Sequence, residues 1–130
     1  MRILGLALIA ATVSGCGSVP ATPPDVYSAA SSALSPNCLA LFAGEGYQKS
    51  AQGTIYPAPI FAISISEDRK YMLCTYSAQT YQQTIWEENR VTALNRCESA
   101  KPDWAHTYKV PFGKCTVYAE GNTIVSNRQE

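Results

Sequence analysis

Five cysteines in a chain of 130 residues constrain this sequence more than any other feature. An odd count leaves one thiol outside any pairing within the chain, so one cysteine has a separate fate. Cys16 closes an N-terminal apolar segment, whereas Cys38, Cys74, Cys97 and Cys115 are spread through the remainder. The length is that of one small domain. Ten Lys and Arg balance ten Asp and Glu. No basic excess exists to neutralise phosphates, so a nucleic-acid partner is not expected. With 46% hydrophobic and 15% charged residues, the chain is too apolar to be disordered throughout.

Met1-Arg2 is followed by an uncharged apolar run from Ile3 to Val13 and then by small residues. That order reads as a secretory signal over residues 1–15. The run is too short to span a bilayer, which takes about 20 apolar residues. Val13-Ser14-Gly15-Cys16 resembles the bacterial lipoprotein signal, in which an aliphatic and two small residues precede an obligate cysteine. The resemblance implies cleavage before Cys16, a diacylglycerol on its sulfur and an acyl chain such as palmitate on its amine. Cys16 is then the lipid anchor, with about 0.8 kcal/mol contributed by each buried methylene. Gly17 stands where lipoproteins retained at the inner membrane commonly carry Asp. The resemblance therefore implies the outer membrane, facing the periplasm, in a two-membrane bacterium. Loss of Arg2 leaves the remainder one charge negative. The acyl chains, not a basic patch, would hold it to the lipid bilayer.

Residues 16–36 read as the lipidated cysteine and a flexible tether, rich in Ser, Ala, Thr and Pro, with Asp25 as its one charge. Val26–Leu34 has room for a helical turn or two. The domain is expected over residues 37–126, with a frayed tail at 127–130. Of the aromatic residues only Tyr27 lies outside it. Asn37–Ala43 reads as a brief helix ended by Gly44, and Gln48–Pro59 as irregular. Phe61, Ile63 and Ile65 alternate with Ala62, Ser64 and Ser66, the pattern of a half-buried strand. Glu67–Lys70 is a polar turn, and Tyr71–Tyr76 resumes the alternation as the second arm of a hairpin. Thr84 with Glu87 fits a capping box, and Trp86, Ala93, Leu94, Cys97 and Ala100 recur at helical spacing. Pro102 is expected to end that helix. Lys101–Gly113 then becomes a long loop holding Trp104, His106, Tyr108 and Phe112. Cys115, Val117 and Ala119 alternate with Thr116 and Tyr118 in a third strand, and Thr123–Val125 returns as a fourth. The predicted class is α+β: a small antiparallel sheet in ββαββ order, one main helix packed on it, stapled by disulfides.

Beyond the inner membrane thiols are oxidised, so Cys38, Cys74, Cys97 and Cys115 suggest two disulfides. Zinc is disfavoured: there is no Cys-x-x-Cys pair and only one histidine. Four cysteines permit three pairings, and their spacing does not choose among them. A helix lying over the sheet would bring Cys97 to Cys115. That leaves Cys38 with Cys74 to fasten the N-terminal segment to the hairpin. Phe61–Ser64, the turn, Ala93-Leu94-Asn95-Arg96-Cys97 and Cys115-Thr116-Val117-Tyr118-Ala119 together resemble a unit in small secreted bacterial domains of unknown function. That unit has a hairpin, an Ala-Leu-x-x-Cys helix and a Cys-x-x-Tyr-Ala strand. The resemblance implies the ββαβ order and no activity.

No catalytic constellation is evident. His106 has only Asp103 near it in sequence, and chemistry at histidine needs a nucleophile or a carboxylate beside it. Glu45, between Gly44 and Gly46, lacks the second carboxylate that glycoside hydrolysis requires. No cofactor motif is present, and no metal is expected. Eight Tyr against three Phe is the remaining signal, read either as half-buried packing or as surface that binds partners. The functional expectation is a non-catalytic lipoprotein that binds an envelope protein or a cell-wall component through the loop of Trp104, His106, Tyr108 and Phe112. An inhibitor of an envelope enzyme, or a small hydrolase, is the alternative.

Overall fold

The computed structural model describes residues 21–53, 58–78 and 86–125. Cys16, the capping box at Thr84 and the expected tail lie outside them. Four strands form one antiparallel sheet in the order β2-β1-β3-β4. They are β1 (Ile60–Ile65), β2 (Met72–Ser77), β3 (Thr116–Glu120) and β4 (Thr123–Ile124). Three short helices precede the sheet: α1 (Pro24–Ala33), α2 (Pro36–Ala43) and α3 (Glu45–Ala51). The long helix α4 (Trp86–Tyr108) connects β2 to β3. The α+β class and the ββαββ order are as the sequence predicts.

The differences begin at the N-terminus. The segment expected as a tether folds from Pro24 onward. Proline at the first helical position and Asp25 in the first turn both favour a helix start. Ala30 and Leu34 are then buried in the core, so the packed domain begins well before residue 37. Gln48, placed in an irregular stretch, sits in α3 and is buried. Its amide donates to the Phe42 carbonyl, and it exchanges hydrogen bonds with the side-chain amide of Asn122. Gly44 ends α2 and opens α3, where a Cβ would come within 2.8 Å of the Ala40 carbonyl oxygen.

With helices on both sides of the sheet, β1 is buried on both faces rather than half-buried. Phe61 and Ile63 face α1–α3, while Ile60 and Ala62 face α4. Its one serine is buried and bonded: Ser64 Oγ donates to the Gly113 carbonyl at 2.6 Å. The alternation expected for β3 also breaks. A β-bulge opposite Phe61 and Ala62 shifts the register, so Tyr118 and Ala119 both join the α1–α3 side while Val117 stays on the α4 side.

Each face carries one disulfide. Cys38 of α2 is bonded to Cys74 of β2, and Cys97 of α4 to Cys115 just before β3. The outer edge of β2 is covered by side chains. Asn37 Nδ2 donates to the Met72 carbonyl, and Arg96 Nη1 to that of Tyr76 at 2.8 Å. Such cover blunts strand addition by another chain.

The largest difference concerns Pro102, which lies inside α4. Proline removes the N–H that the Glu98 carbonyl would accept, a defect costing a few kcal/mol in an unsupported helix. Tertiary packing outweighs it here. Trp104, Ala105 and Val110 pack against the α4-side core, and the Trp104 ring meets Phe112 edge-on at 6.0 Å. Lys101 pairs with Glu98 at 2.9 Å across the same turn. The helix stops two turns later than expected. Lys109 is left-handed at φ 61°, the Val110 N–H reaches back to the Ala105 carbonyl at 3.3 Å, and Pro111 follows. This is a Schellman-type end with lysine in the place glycine usually takes.

Candidate interaction surface

The aromatic residues expected on one long loop are therefore divided between a helix and the core. Trp104, His106 and Tyr108 lie on the last turns of α4. Phe112 is buried, bridging as a β-pair to Ser66. Trp104 is half-buried, and His106 and Tyr108 are exposed. The contact loop is thus corrected to the end of a helix, with Phe112 as its footing rather than part of its surface.

A further ring completes the surface. Tyr71, at the end of the β1–β2 turn, stacks on Tyr108 with centroids 4.3 Å apart and planes 32° from parallel. Tyr108 also lies 5.5 Å from Trp104, as its four-residue spacing on one helix allows. Tyr71 and Tyr108 keep 37% and 39% of their surface exposed. In the sequence Tyr71 is one tyrosine among eight. It reads as an ordinary strand residue, and it meets Tyr108 only because α4 continues past Pro102.

The turn that presents Tyr71 is organised by Ser66. Its buried hydroxyl donates to Asp68 Oδ1 at 2.6 Å and accepts the N–H groups of Lys70 and Tyr71. The Ser66 hydroxyl and then the Lys70 N–H hold the Asp68 carboxyl below the usual carboxylate range. Arg69 N–H donates to the Ser66 carbonyl at 2.8 Å, which leaves Arg69 left-handed at φ 63°. The turn is fastened to the end of α4 by Glu67 N–H donating to the Pro111 carbonyl at 2.9 Å. Two left-handed non-glycine residues, Arg69 and Lys109, thus flank one stacked tyrosine pair. Each such residue costs on the order of 1 kcal/mol relative to glycine.

On the other side of the sheet, Phe42 packs against Tyr47 and Phe61 at 5.2 Å and Tyr118 at 5.8 Å. Tyr47 Oη donates to the Gly121 carbonyl at 2.7 Å. Burial pushes the Tyr47 and Tyr118 phenols above the ordinary tyrosine value, with Glu120 adding to the effect at Tyr47. Tyr47 and Tyr118 are therefore core rather than contact surface. Glu45 opens α3 on this side, whereas His106 belongs to α4. Both are exposed, and the fold does not bring them together. Among the described residues, no three His, Cys, Asp or Glu side chains group as metal ligands. No described helix is long and apolar enough to cross a membrane.

No known family model, curated protein or solved structure matches the chain at a significant level.

Proposed function

We propose that this chain is a membrane-anchored lipoprotein of the bacterial envelope, held at the periplasmic face of the outer membrane by acylated Cys16. Its domain acts as a non-catalytic module that binds an envelope protein or a cell-wall component. The observation that carries the binding half is the Tyr71–Tyr108 stack. Two rings more than a third exposed sit on a rigid footing of Trp104 and Phe112. Tyrosine and tryptophan supply large contact area at small entropic cost, which suits them to partner surfaces. The anchoring half rests on the lipoprotein-type sequence that ends at Cys16.

The test uses the full chain made in a two-membrane bacterium. Intact mass should show a chain beginning at Cys16 and carrying acyl groups, and Cys16→Ser should release it from the membrane fraction. Isolated envelope material should retain the folded domain. Tyr71→Ala with Tyr108→Ala should reduce that retention at least tenfold while the near-ultraviolet spectrum of the core persists. An unacylated chain contradicts the anchoring half, and unchanged retention contradicts the binding half.

A further inference from the structure

The packed chain begins much closer to Cys16 than its composition suggests. The Ala21 carbonyl accepts from Gln52 Nε2 at 3.3 Å, and Thr22 is only 8% exposed. Ala21 stands five residues after Cys16, a span of at most about 18 Å when fully extended. A domain anchored at Cys16 is therefore held within reach of the bilayer, and the face around Ala21 is the part drawn to it. That face is poor in charge. The layer α1–α3 carries three charged side chains, Asp25, Glu45 and Lys49, whereas α4 alone carries seven, histidine apart. Pro24, Tyr27, Ser28 and Ser31 fall on one exposed stripe of α1, three and four residues apart. Tyr27 is 45% exposed. Beside it an open cleft of about 390 Å³ lies between Ala21, Thr22, Pro24, Tyr27 and Ala43, joining the start of the described chain to the end of α2. Two serine hydroxyls of α1 are already bonded within the helix: Ser31 Oγ donates to the Ser28 carbonyl and Ser32 Oγ to that of Ala29, each at 2.9 Å. Polar groups satisfied in this way cost less to bring out of water.

Resting on the reading above that Cys16 is acylated, we infer that the exposed stripe of α1 and the cleft beside it lie against the lipid surface. Tyr27 sits at the level of the headgroups, where the apolar ring and the hydroxyl of tyrosine each meet a matching phase. The acyl chains supply the hold, and the face sets which way the domain stands. Asp25, Glu45 and Lys49 sum to a single negative charge, so the contact neither depends on anionic lipid nor is strongly repelled by it. Helices α1–α3 cover one side of the sheet and α4 the other. A domain resting on α1 therefore turns the α4 side, which carries Tyr108, away from the bilayer.

The test compares three exposed positions. A photoactivatable phenylalanine replaces Tyr27, Val91 or Tyr108 in the acylated chain, which is reconstituted in vesicles of phosphatidylethanolamine and phosphatidylglycerol. The three side chains are 45%, 42% and 39% exposed, so each replacement leaves the core intact. Irradiation should give lipid adducts about tenfold more often from position 27 than from position 91 or 108, which face water. Hydrogen exchange in α1 should slow on reconstitution. Tyr27→Glu should remove that slowing while the chain stays on the vesicles, because its anchor is untouched. Equal yields of lipid adduct from the three positions overturn the inference, as does exchange in α1 that is unchanged by reconstitution. Adducts from position 27 with a second copy of the chain instead of lipid overturn it too, and assign the stripe to a dimer. In each of these cases acyl groups found by intact mass leave the anchor standing. A chain without acyl groups overturns the anchor, and this orientation with it.

Discussion

The two faces of the sheet are built from different materials. Against α1–α3 lies an aromatic cluster, with Phe42, Tyr47, Phe61 and Tyr118 in tilted and edge-to-face contact. Against α4 lie smaller side chains: Ile60, Ala62, Leu73, Ala93 and the Cys97–Cys115 bridge. Tyrosine occurs on both sides, yet it takes opposite positions. Tyr47 and Tyr118 are buried on the first face, whereas Tyr71 and Tyr108 meet in solvent at the far end of the second. Residue type alone therefore does not say which tyrosines are buried and which stay exposed. The difference lies in what stands beneath each ring.

The largest effect that can sharpen this contrast is at Phe42. Phe42→Ala should lower unfolding free energy in urea by about 3–5 kcal/mol, because three rings lose their common partner. Leu73→Ala on the α4 face should cost about 3 kcal/mol, with no comparable loss of the near-ultraviolet aromatic signal. Next come the bridges, whose separations are 36 and 18 residues. Chain entropy predicts a loss of about 4 kcal/mol for Cys38→Ala with Cys74→Ala, and about 3 kcal/mol for Cys97→Ala with Cys115→Ala. A reversed order in calorimetry would mean that the α4 face depends on its bridge more than loop length predicts.

Pro102→Ala tests the continuity of α4 by its sign. Inside a helix the exchange restores a donor for the Glu98 carbonyl and should raise stability by about 1–2 kcal/mol. In a loop, proline restrains the unfolded chain, and the same exchange would lower stability. The smallest effects are those of pH. Glu98 is held below the usual carboxylate range, chiefly by Lys101 and then by the Cys115 N–H. A lowered native pKa gives stability that is present at neutral pH and is lost as pH falls through the carboxylate range. Glu98→Gln should flatten that acid limb. Tyr47 behaves oppositely: its native pKa lies above the ordinary 10.0, so its contribution is lost as pH rises past that value. The α1–α3 face should therefore loosen first in alkali, and the junction of α4 with Cys115 first in acid. Hydrogen exchange resolved by segment checks both.

The hairpin, the ββαββ order and the helix face of Ala93, Leu94 and Cys97 are legible in the sequence because each rests on a local period or on a turn signal. The placing of Cys97 beside Cys115 follows from laying that helix on the sheet. What escaped depends on distant partners. The apolar residues from Val26 to Leu34 are mostly alanine, and only burial of Ala30 and Leu34 in the core makes the stretch part of the domain. The β3 bulge is set by pairing with β1 and has no signature in Cys115–Ala119. Proline is a strong local signal, and it misled at residue 102. The packing of Trp104, Phe112 and Tyr108 that overrides it joins segments which the sequence leaves apart. Pro111 was the better mark of the helix end. Tyr71 goes unmarked for the same reason, because only the continued helix brings Tyr108 to it.

On the proposed reading the molecule meets its partner at the end of α4 and not on the α1–α3 side. A photoactivatable phenylalanine replaces Tyr108 in one full-length chain and the equally exposed Tyr27 in another. Each is irradiated in intact envelopes. Covalent adducts with envelope protein or cell wall should form from position 108 and not from position 27. Such adducts from position 27 alone would contradict it.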